Sequence, residues 1–328
     1  DHMIIRHCRV SDTSTEGLYI QSSNDVLLEK NIFTRNNIER ITGYYPAAVK
    51  IFNQCYRLTC QDNLVIDLLY SNGIWYDVGN VDGRFLNNWV QDVGINAGIF
   101  SYKSIWPAQN GFFFEISKGA VCAGNVFVNC DHGILVLNSS GVEIYQNTMV
   151  NSMVCIARDA RSFEGDHFGW HPSTGPDVEE RYGHILVNNL LTADKGFDPP
   201  LLMVWQPGFM CERLPDSPLK HVDHNMYVRE SGQTDTPVIL WSPGANEACQ
   251  EQLTGPGSLH TLYPDFAANS ESFSGYTGPL FKSQTLGKYE LVKGFPGSES
   301  AAALPAEISK MLGQEPGTDP YVGAYPPQ

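Results

Sequence analysis

The chain has 328 residues, with 36 acidic and 21 basic side chains, a net charge of −15 and no block rich in Lys and Arg. A nucleic-acid partner would call for a basic stripe, and a membrane span for about 20 consecutive apolar residues; the sequence has neither. Charged residues make up only 17% of the chain and asparagine is frequent, a profile of an extracellular β protein rather than a cytosolic helical one.

At the N-terminus, Asp1-His2-Met3 reads as a cloning remnant or as the interior of a longer gene product. No signal peptide precedes the alternating Ile4-Ile5-Arg6-His7-Cys8. An internal repeat follows. Its units are Gly17-Leu-Tyr-Ile-Gln21, Ala48-Val-Lys-Ile-Phe52, Gly73-Ile-Trp-Tyr-Asp77, Gly111-Phe-Phe-Phe-Glu115, Gly133-Ile-Leu-Val-Leu137 and Met153-Val-Cys-Ile-Ala157. Each has apolar residues at its second and fourth places. Asn31, Asn63, Asn88, Asn125 and Asn147 each lie 14 or 15 residues after the start of a unit and precede an apolar stretch. Asn189 has the same surroundings after an insertion, and Cys8 takes the slot in the first coil.

The period is roughly 20–25 residues, with strand-like alternation and almost no helical pattern. Ankyrin, tetratricopeptide and leucine-rich units are thereby excluded. What remains is all-β: a parallel β-helix of about eight coils, stacked about 4.8 Å apart. An inward Asn amide can bond the backbone of its own turn and the Asn of the next coil, and Asn tolerates the left-handed backbone that a sharp corner needs. Leu202-Met-Val-Trp205 and Val238-Ile-Leu-Trp241 read as equivalent strands of adjacent coils. Past residue 245 Gly, Ser and Pro increase and the repeat is lost. The expected organisation is a β-helix over 1–245 and a C-terminal cap and tail over 246–328, packed on the helix, with one helix at about 301–313.

By its coil repeat and asparagine ladder the chain resembles, over roughly residues 4–245, the right-handed parallel β-helix superfamily typified by pectate lyases and polygalacturonases. The tail Val322-Gly-Ala-Tyr325, after Leu304-Pro-Ala-Glu-Ile-Ser309, is similar to the C-terminal end of many secreted bacterial β-helix carbohydrate enzymes. The resemblance implies a secreted or periplasmic protein acting on an oligo- or polysaccharide. The Asn-Thr-Asp, Asp-Asp, Gly-His-Gly and Arg-Ile-Lys motifs of polygalacturonases are absent, as is the Arg-x-Pro-x-x-Arg motif of pectate lyases.

Alternation along each unit puts Ile74/Tyr76, Phe112/Phe114 and Ile134/Val136 in the core. The third places (Tyr19, Lys50, Trp75, Phe113, Leu135, Cys155) and fifth places (Gln21, Phe52, Asp77, Glu115, Leu137, Ala157) are then expected to face solvent. Gln54, Ser117 and Asp159 continue that face. Asp77 and Glu115 fall on neighbouring coils, where two like charges raise one pKa. Trp75 and Phe113 offer flat faces for sugar rings. Tyr19, Gln21, Phe52 and Lys50 extend the substrate surface. Expanded connections at 36–47 (Arg40, Tyr44, Tyr45), 93–110 (Phe100, Tyr102, Trp106) and 159–183 (Glu164, Asp166, His167, Trp170, His171) read as walls of a cleft. His167 and His171 have metal-ligand spacing, but Gly169 and Pro172 favour a loop, so a substrate-binding wall is the better reading.

Three functions fit. A glycoside hydrolase would use Asp77 as nucleophile and Glu115 as acid/base, or the reverse, with no cofactor required. A polysaccharide lyase would use Lys50 as base and Asp77/Glu115 as a Ca²⁺ site. A non-catalytic glycan-binding β-helix would use the aromatics alone. The hydrolase leads, because an anionic polymer would be steered away from so acidic a protein. Cys60 and Cys122, with Phe85 between them, read as buried apolar positions. Cys211 and Cys249 are a candidate disulfide.

Overall fold

The computed structural model describes all residues except 1, 43–45, 95–104, 106–107, 160, 162–174, 231–236, 298–299, 316 and 328. Each coil contributes a short strand to each of three faces. The first face stacks Ile4–Arg6, Leu27–Glu29, Thr59–Gln61, Val81–Leu86, Lys118–Ala123, Ser140–Tyr145, His184–Val187 and Leu219–Asp223. The second begins with Arg9–Ser11, Ile32–Thr34, Leu64–Leu68 and Trp89–Val93 and later takes Leu190–Ala193 and Met226–Glu230. The third stacks Leu18–Gln21, Ala47–Phe52, Asn72–Asp77 and Asn110–Glu115, then Leu202–Trp205 and Ile239–Trp241. Two long strands, Val126–Leu137 and Thr148–Ala157, run through the corner and serve both the second and third faces. Stacking within each face is parallel, apart from the final pairing of Ile239–Trp241 with Glu251–Leu253. The molecule is thus a right-handed parallel β-helix, the hand that parallel β crossovers take almost without exception.

Short coils leave a narrow interior, which large flat side chains fill. Tyr76, Phe85, Phe112, Phe114 and Phe127 are all fully buried. Phe85 lies 5.0 Å from Phe112 and Tyr76 lies 5.7 Å from Phe114, both tilted. Cys60 and Cys122 flank Phe85 in register, as expected, and burial pushes the Cys60 thiol up to about 12.

The asparagine ladder runs along the corner between the first and second faces. Asn31, Asn63, Asn88, Asn125, Asn147 and Asn189 each donate from both backbone N and side-chain Nδ2 to the Oδ1 of the next rung, at 2.8–3.1 Å. The backbone N–H of Cys8 donates to Asn31, so Cys8 does hold the slot of the first coil. Asn225 is a further rung, and its own N–H is taken by Ser270 Oγ. Smaller ladders mark the other corners: Asn80, Ser117 and Ser139 on one, Asn72, Asn110 and His132 on the other. Ser117 therefore belongs to an inward corner, not to the outward face.

Two expectations about local geometry change. The left-handed residue is not the ladder asparagine but the one before it: His7, Lys30, Asp62, Asn87, Gly124, Gln146, Asn188 and His224 all have positive φ. One residue turns the chain, and the next points its amide inward. The strands at Leu202–Trp205 and Ile239–Trp241 are neighbours, but Leu202 pairs with Ile239 and Met203 with Leu240. That is one residue off the alignment of the two tryptophans, and a one-residue shift exchanges faces. Trp241 is fully buried, against Tyr263 and Phe266.

The C-terminal part lies along the outside of the coils. It holds two short helices, α1 (Pro256–Leu262) and α2 (Ala306–Met311), the second inside the expected 301–313. Glu271–Tyr276 adds a parallel strand to the second face beside Met226–Glu230. Phe281, Tyr289, Leu291, Phe295 and Val322 pack on the outward Val126, Val128, Val150, Leu190 and Met226 of that face. Ile308 of α2 packs on Leu86, Ala123, Tyr145 and Val187 of the first. Asn188 exchanges hydrogen bonds with the Ala302 backbone. Cys211 and Cys249 form a disulfide with Cα atoms 6.5 Å apart, closing a separation of 38 residues.

Replacing a central rung should cost more than replacing an end one. Asn125→Ala removes the acceptor of two donors of Asn88 and the two bonds that Asn125 Nδ2 gives to Phe85 O and Asn147. At about 1 kcal/mol per bond, with buried donors left over, roughly 3–4 kcal/mol of stability should be lost, against about 2–3 kcal/mol for Asn31→Ala, whose side chain makes three bonds, two of them only partly buried. Urea unfolding of the two variants measures the difference. Reduction of the disulfide should lower stability by about 3–4 kcal/mol by the loop-entropy relation, read as the shift in urea midpoint with and without reductant.

Candidate active site

The third face carries the candidate residues because parallel stacking copies one strand position into a column. Tyr19 is in register with Lys50, Lys50 with Trp75, and Trp75 with Phe113. Two residues on, Gln21, Phe52, Asp77 and Glu115 form the neighbouring column. Asp77 and Glu115 are thus directly opposite on adjacent coils, as the repeat predicts.

The environment of these columns differs from the expectation of a solvent-facing sheet. Lys50, Trp75, Asp77, Phe113 and Glu115 are only 1–6% exposed. Leu135, Leu137, Cys155 and Ala157 further along are buried as well. Ile105, from the connection before Asn110, joins the same apolar cluster as Trp75 and Phe113. Tyr19 and Gln21 are exposed and Phe52 is partly buried, so among the described residues the face opens at the first coils. His167, Trp170 and His171 lie outside the described residues, as do Glu164, Asp166, Tyr44, Tyr45, Phe100, Tyr102 and Trp106. Arg40 is exposed, with its guanidinium 4.7 Å from the Tyr70 ring centroid.

Trp75 is central. Lys50 Nζ stands 3.4 Å from its ring centroid on one side. Phe113 stacks on it, with centroids 4.8 Å apart and planes 16° from parallel. The flat faces read from the sequence as sugar platforms are therefore packed against their column neighbours. Rings in one column repeat at nearly the strand spacing, which is a stacking distance. The edge of Trp75 is used too, since Nε1 donates to Glu115 Oε2 at 3.0 Å. Tyr19 and Phe52, with centroids 6.0 Å apart, are the aromatic pair nearest the open end.

The two carboxylates have different partners. Asp77 Oδ2 is 2.8 Å from Lys50 Nζ. Glu115 takes the indole N–H and an ion pair from Arg161, whose Nε is 2.9 Å from Asp159 Oδ2. Burial pushes the Glu115 carboxyl up to about 7; Asp77 adds to the rise, while Arg161 and Lys50 oppose it. For Arg161, burial disfavours the charge, but Glu115 and Asp159 outweigh it and hold the pKa above its ordinary value. The sequence reading missed Arg161. The charged run Arg158-Asp159-Ala-Arg161 after the strand is the only hint, and it does not say that the last member folds back two coils to Glu115.

The site therefore treats its two carboxylates differently and can hold a proton on Glu115 near neutral pH. Among the described residues, no group of three or more His, Cys, Asp or Glu side chains is arranged to hold a metal ion. Lys50 Nζ is engaged on two sides, by a carboxylate and by a ring face.

Residues 1–149 match the family model of the right handed beta helix region. That family includes many carbohydrate-active enzymes. Comparison with curated proteins and with solved structures gives no match. The parallel stacking continues through the coils beyond residue 149, and the chain is a right-handed parallel β-helix protein.

The raised pKa of Glu115 has a stability consequence. Its folded value of about 7 lies above the ordinary 4.5, so the native state holds the proton more tightly than the unfolded chain. The resulting stabilisation is complete below about 4.5 and is lost as pH rises through about 7. Wild type should lose about 2–3 kcal/mol between pH 5 and 8 relative to Glu115→Gln, whose amide does not titrate. Urea unfolding of both proteins across that range gives the difference directly.

Proposed function

We propose that this β-helix is a glycoside hydrolase, with Asp77 as nucleophile and Glu115 as acid/base. The observation that carries the reading is the unequal treatment of two carboxylates on adjacent coils. A glycosidase needs one carboxyl group protonated to release the leaving oxygen and one ionised to attack or to activate water. Burial against Trp75 keeps the Glu115 proton near neutrality, and Lys50 keeps a cation beside Asp77. Two carboxyl groups in different environments are a recurrent way of assigning acid and base roles.

Directly opposed residues on adjacent coils start about 4.8 Å apart. That spacing favours the retaining geometry, in which the carboxyl groups are about 5–5.5 Å apart and the nucleophile forms a covalent intermediate. Tyr19, Phe52 and Gln21, at the open end of the same face, are the surface from which a sugar chain would approach. The lyase alternative is less well supported, because Lys50 Nζ is already engaged by Asp77 and the Trp75 ring. A protein of this kind, with a disulfide between Cys211 and Cys249, suits an oxidising compartment outside the cytosol.

A structural role for the same network is the second reading, and a specific observation favours it: both carboxylates are almost fully buried and each has a basic partner. Breaking a buried ion pair costs about 3–5 kcal/mol, whatever its function. The two readings separate in one experiment. Asp77→Asn and Glu115→Gln should each lower turnover on the cleaved oligosaccharide by more than about 10³-fold, several kcal/mol of transition-state stabilisation. Circular dichroism and substrate binding should be retained, and EDTA should leave wild-type turnover unchanged. Turnover should fall as pH rises above about 7, when the acid loses its proton. Variants that unfold, or that fold and turn over normally, would leave the network a structural one. An unsaturated product would establish elimination instead.

A further inference from the structure

Among the described residues, Arg158 and Arg181 are buried arginines that form no ion pair with a carboxylate. Arg158 follows the strand Thr148–Ala157 at the edge of the third face where Asp77 and Glu115 end their strands. Arg181 comes from the turn before His184–Val187. They are 4% and 1% exposed. Arg158 Nη2 donates to the Asp216 backbone carbonyl at 2.7 Å. Arg181 Nη1 donates to Asn138 Oδ1 at 2.9 Å and to the Asp159 carbonyl at 3.3 Å. Neither makes an ion pair among the described residues. The Nε of each is buried without a hydrogen-bond partner, and so is Nη2 of Arg161, the residue that grips Glu115. Asp216, Asp159, Glu179 and Asp177 act on the two guanidiniums only from a distance, and Glu179 is itself paired with Arg213.

Guanidinium does not give up its proton under ordinary conditions, so burial cannot be relieved by neutralisation as it is for lysine. An isolated buried charge costs several kcal/mol, and unpaired buried N–H groups add to that. Burial is the main influence lowering the pKa of both arginines to about 10, and their electrostatic neighbours include each other for Arg158 and Arg161 for Arg181. In a protein of net charge −15, these two side chains, gathered with Arg161 at one strand edge, call for an anion that the described residues do not supply.

We propose that Arg158 and Arg181, with the free Nη2 of Arg161, form a binding site for a planar or tetrahedral oxyanion group (carboxylate, sulfate or phosphate) beside Glu115. The forked donors match such oxygens in pairs. The group arrives either as a substituent of a carbohydrate or as a free ion. The first source rests on the hydrolase reading and the second does not.

Thermal unfolding in sodium sulfate or phosphate, against sodium chloride at equal ionic strength, tests the site with the intact chain. Wild type should show a saturable rise in Tm of several degrees. Arg158→Met and Arg181→Met should weaken the apparent affinity at least about tenfold, leaving only the non-saturating rise that sulfate gives most proteins. Arg158→Lys, which keeps the charge without the fork, should fall between them. Without anion the methionine variants should be as stable as wild type or more so, since an uncompensated buried charge is gone. Equal responses in wild type and variants, or variants destabilised and blind to the anion, would overturn the proposal and make the guanidiniums structural. Carboxylated or sulfated oligosaccharides that displace sulfate would identify the ligand as a substituent; sulfate binding unaffected by them would identify a free ion. Each of these two results upholds the site, and the binding readout stands even if no turnover is ever found.

Discussion

The backbone of each coil finds its hydrogen-bond partners in the coils before and after it, and the rest of the structure follows from that requirement. A coil has no partners within itself. Its strands are three to six residues long on most faces, too short to hold a sheet unless every coil repeats the same corners in the same place. The asparagine ladder supplies that registration. Each rung satisfies two donors of the previous coil through one amide oxygen, and the amide N–H of Asn63, Asn88 and Asn125 also donates to a backbone carbonyl of that coil, not of its own turn as the sequence suggested. Rungs at a fixed offset keep corners over corners, so strand positions become columns.

Columns decide what chemistry the molecule can display. A residue type at one position lies against the residues at the same position one coil away. For inward positions this makes a stack of rings and aliphatic chains that fills a narrow core. For the third face it places Trp75 against Phe113 and Asp77 against Glu115. The aromatic contact is favourable as it stands. The contact between carboxylates is not, and the structure answers it with one basic residue for each: Lys50 from the neighbouring column and Arg161 from far along the chain. What burial adds is asymmetry, leaving a proton on Glu115 near neutrality. The same edge of the face then carries two more arginines that form no ion pair among the described residues.

The outward surfaces are not equivalent. Apolar residues of the second face are covered by the C-terminal segment, where Phe281, Tyr289, Leu291, Phe295 and Val322 supply the partner layer that a two-sided apolar strand requires. α2 does the same for a smaller patch of the first face. The third face is buried through its middle coils, where Lys50, Asp77 and Glu115 lie among apolar residues, and among the described residues it exposes polar and aromatic side chains at the N-terminal end.

Much of this was legible in the residues themselves. Period-2 alternation, the asparagines at fixed offset and the absence of a helical pattern determined the parallel stack, its repeat length, the inward positions, the slot of Cys8 and the neighbourhood of Asp77 and Glu115. These follow from local spacing, and local spacing is what a sequence records. The left-handed corner residue was misplaced by one because Asn suits either place. The pairing of Trp205 with Trp241 was off by one because similar residues do not fix a register that the preceding turns set. Whether the third face met solvent was decided by segments far away in the chain, as were the partner of Glu115 and the gathering of Arg158, Arg161 and Arg181. An outward position in a strand is a direction, and only the folded chain settles what lies in that direction.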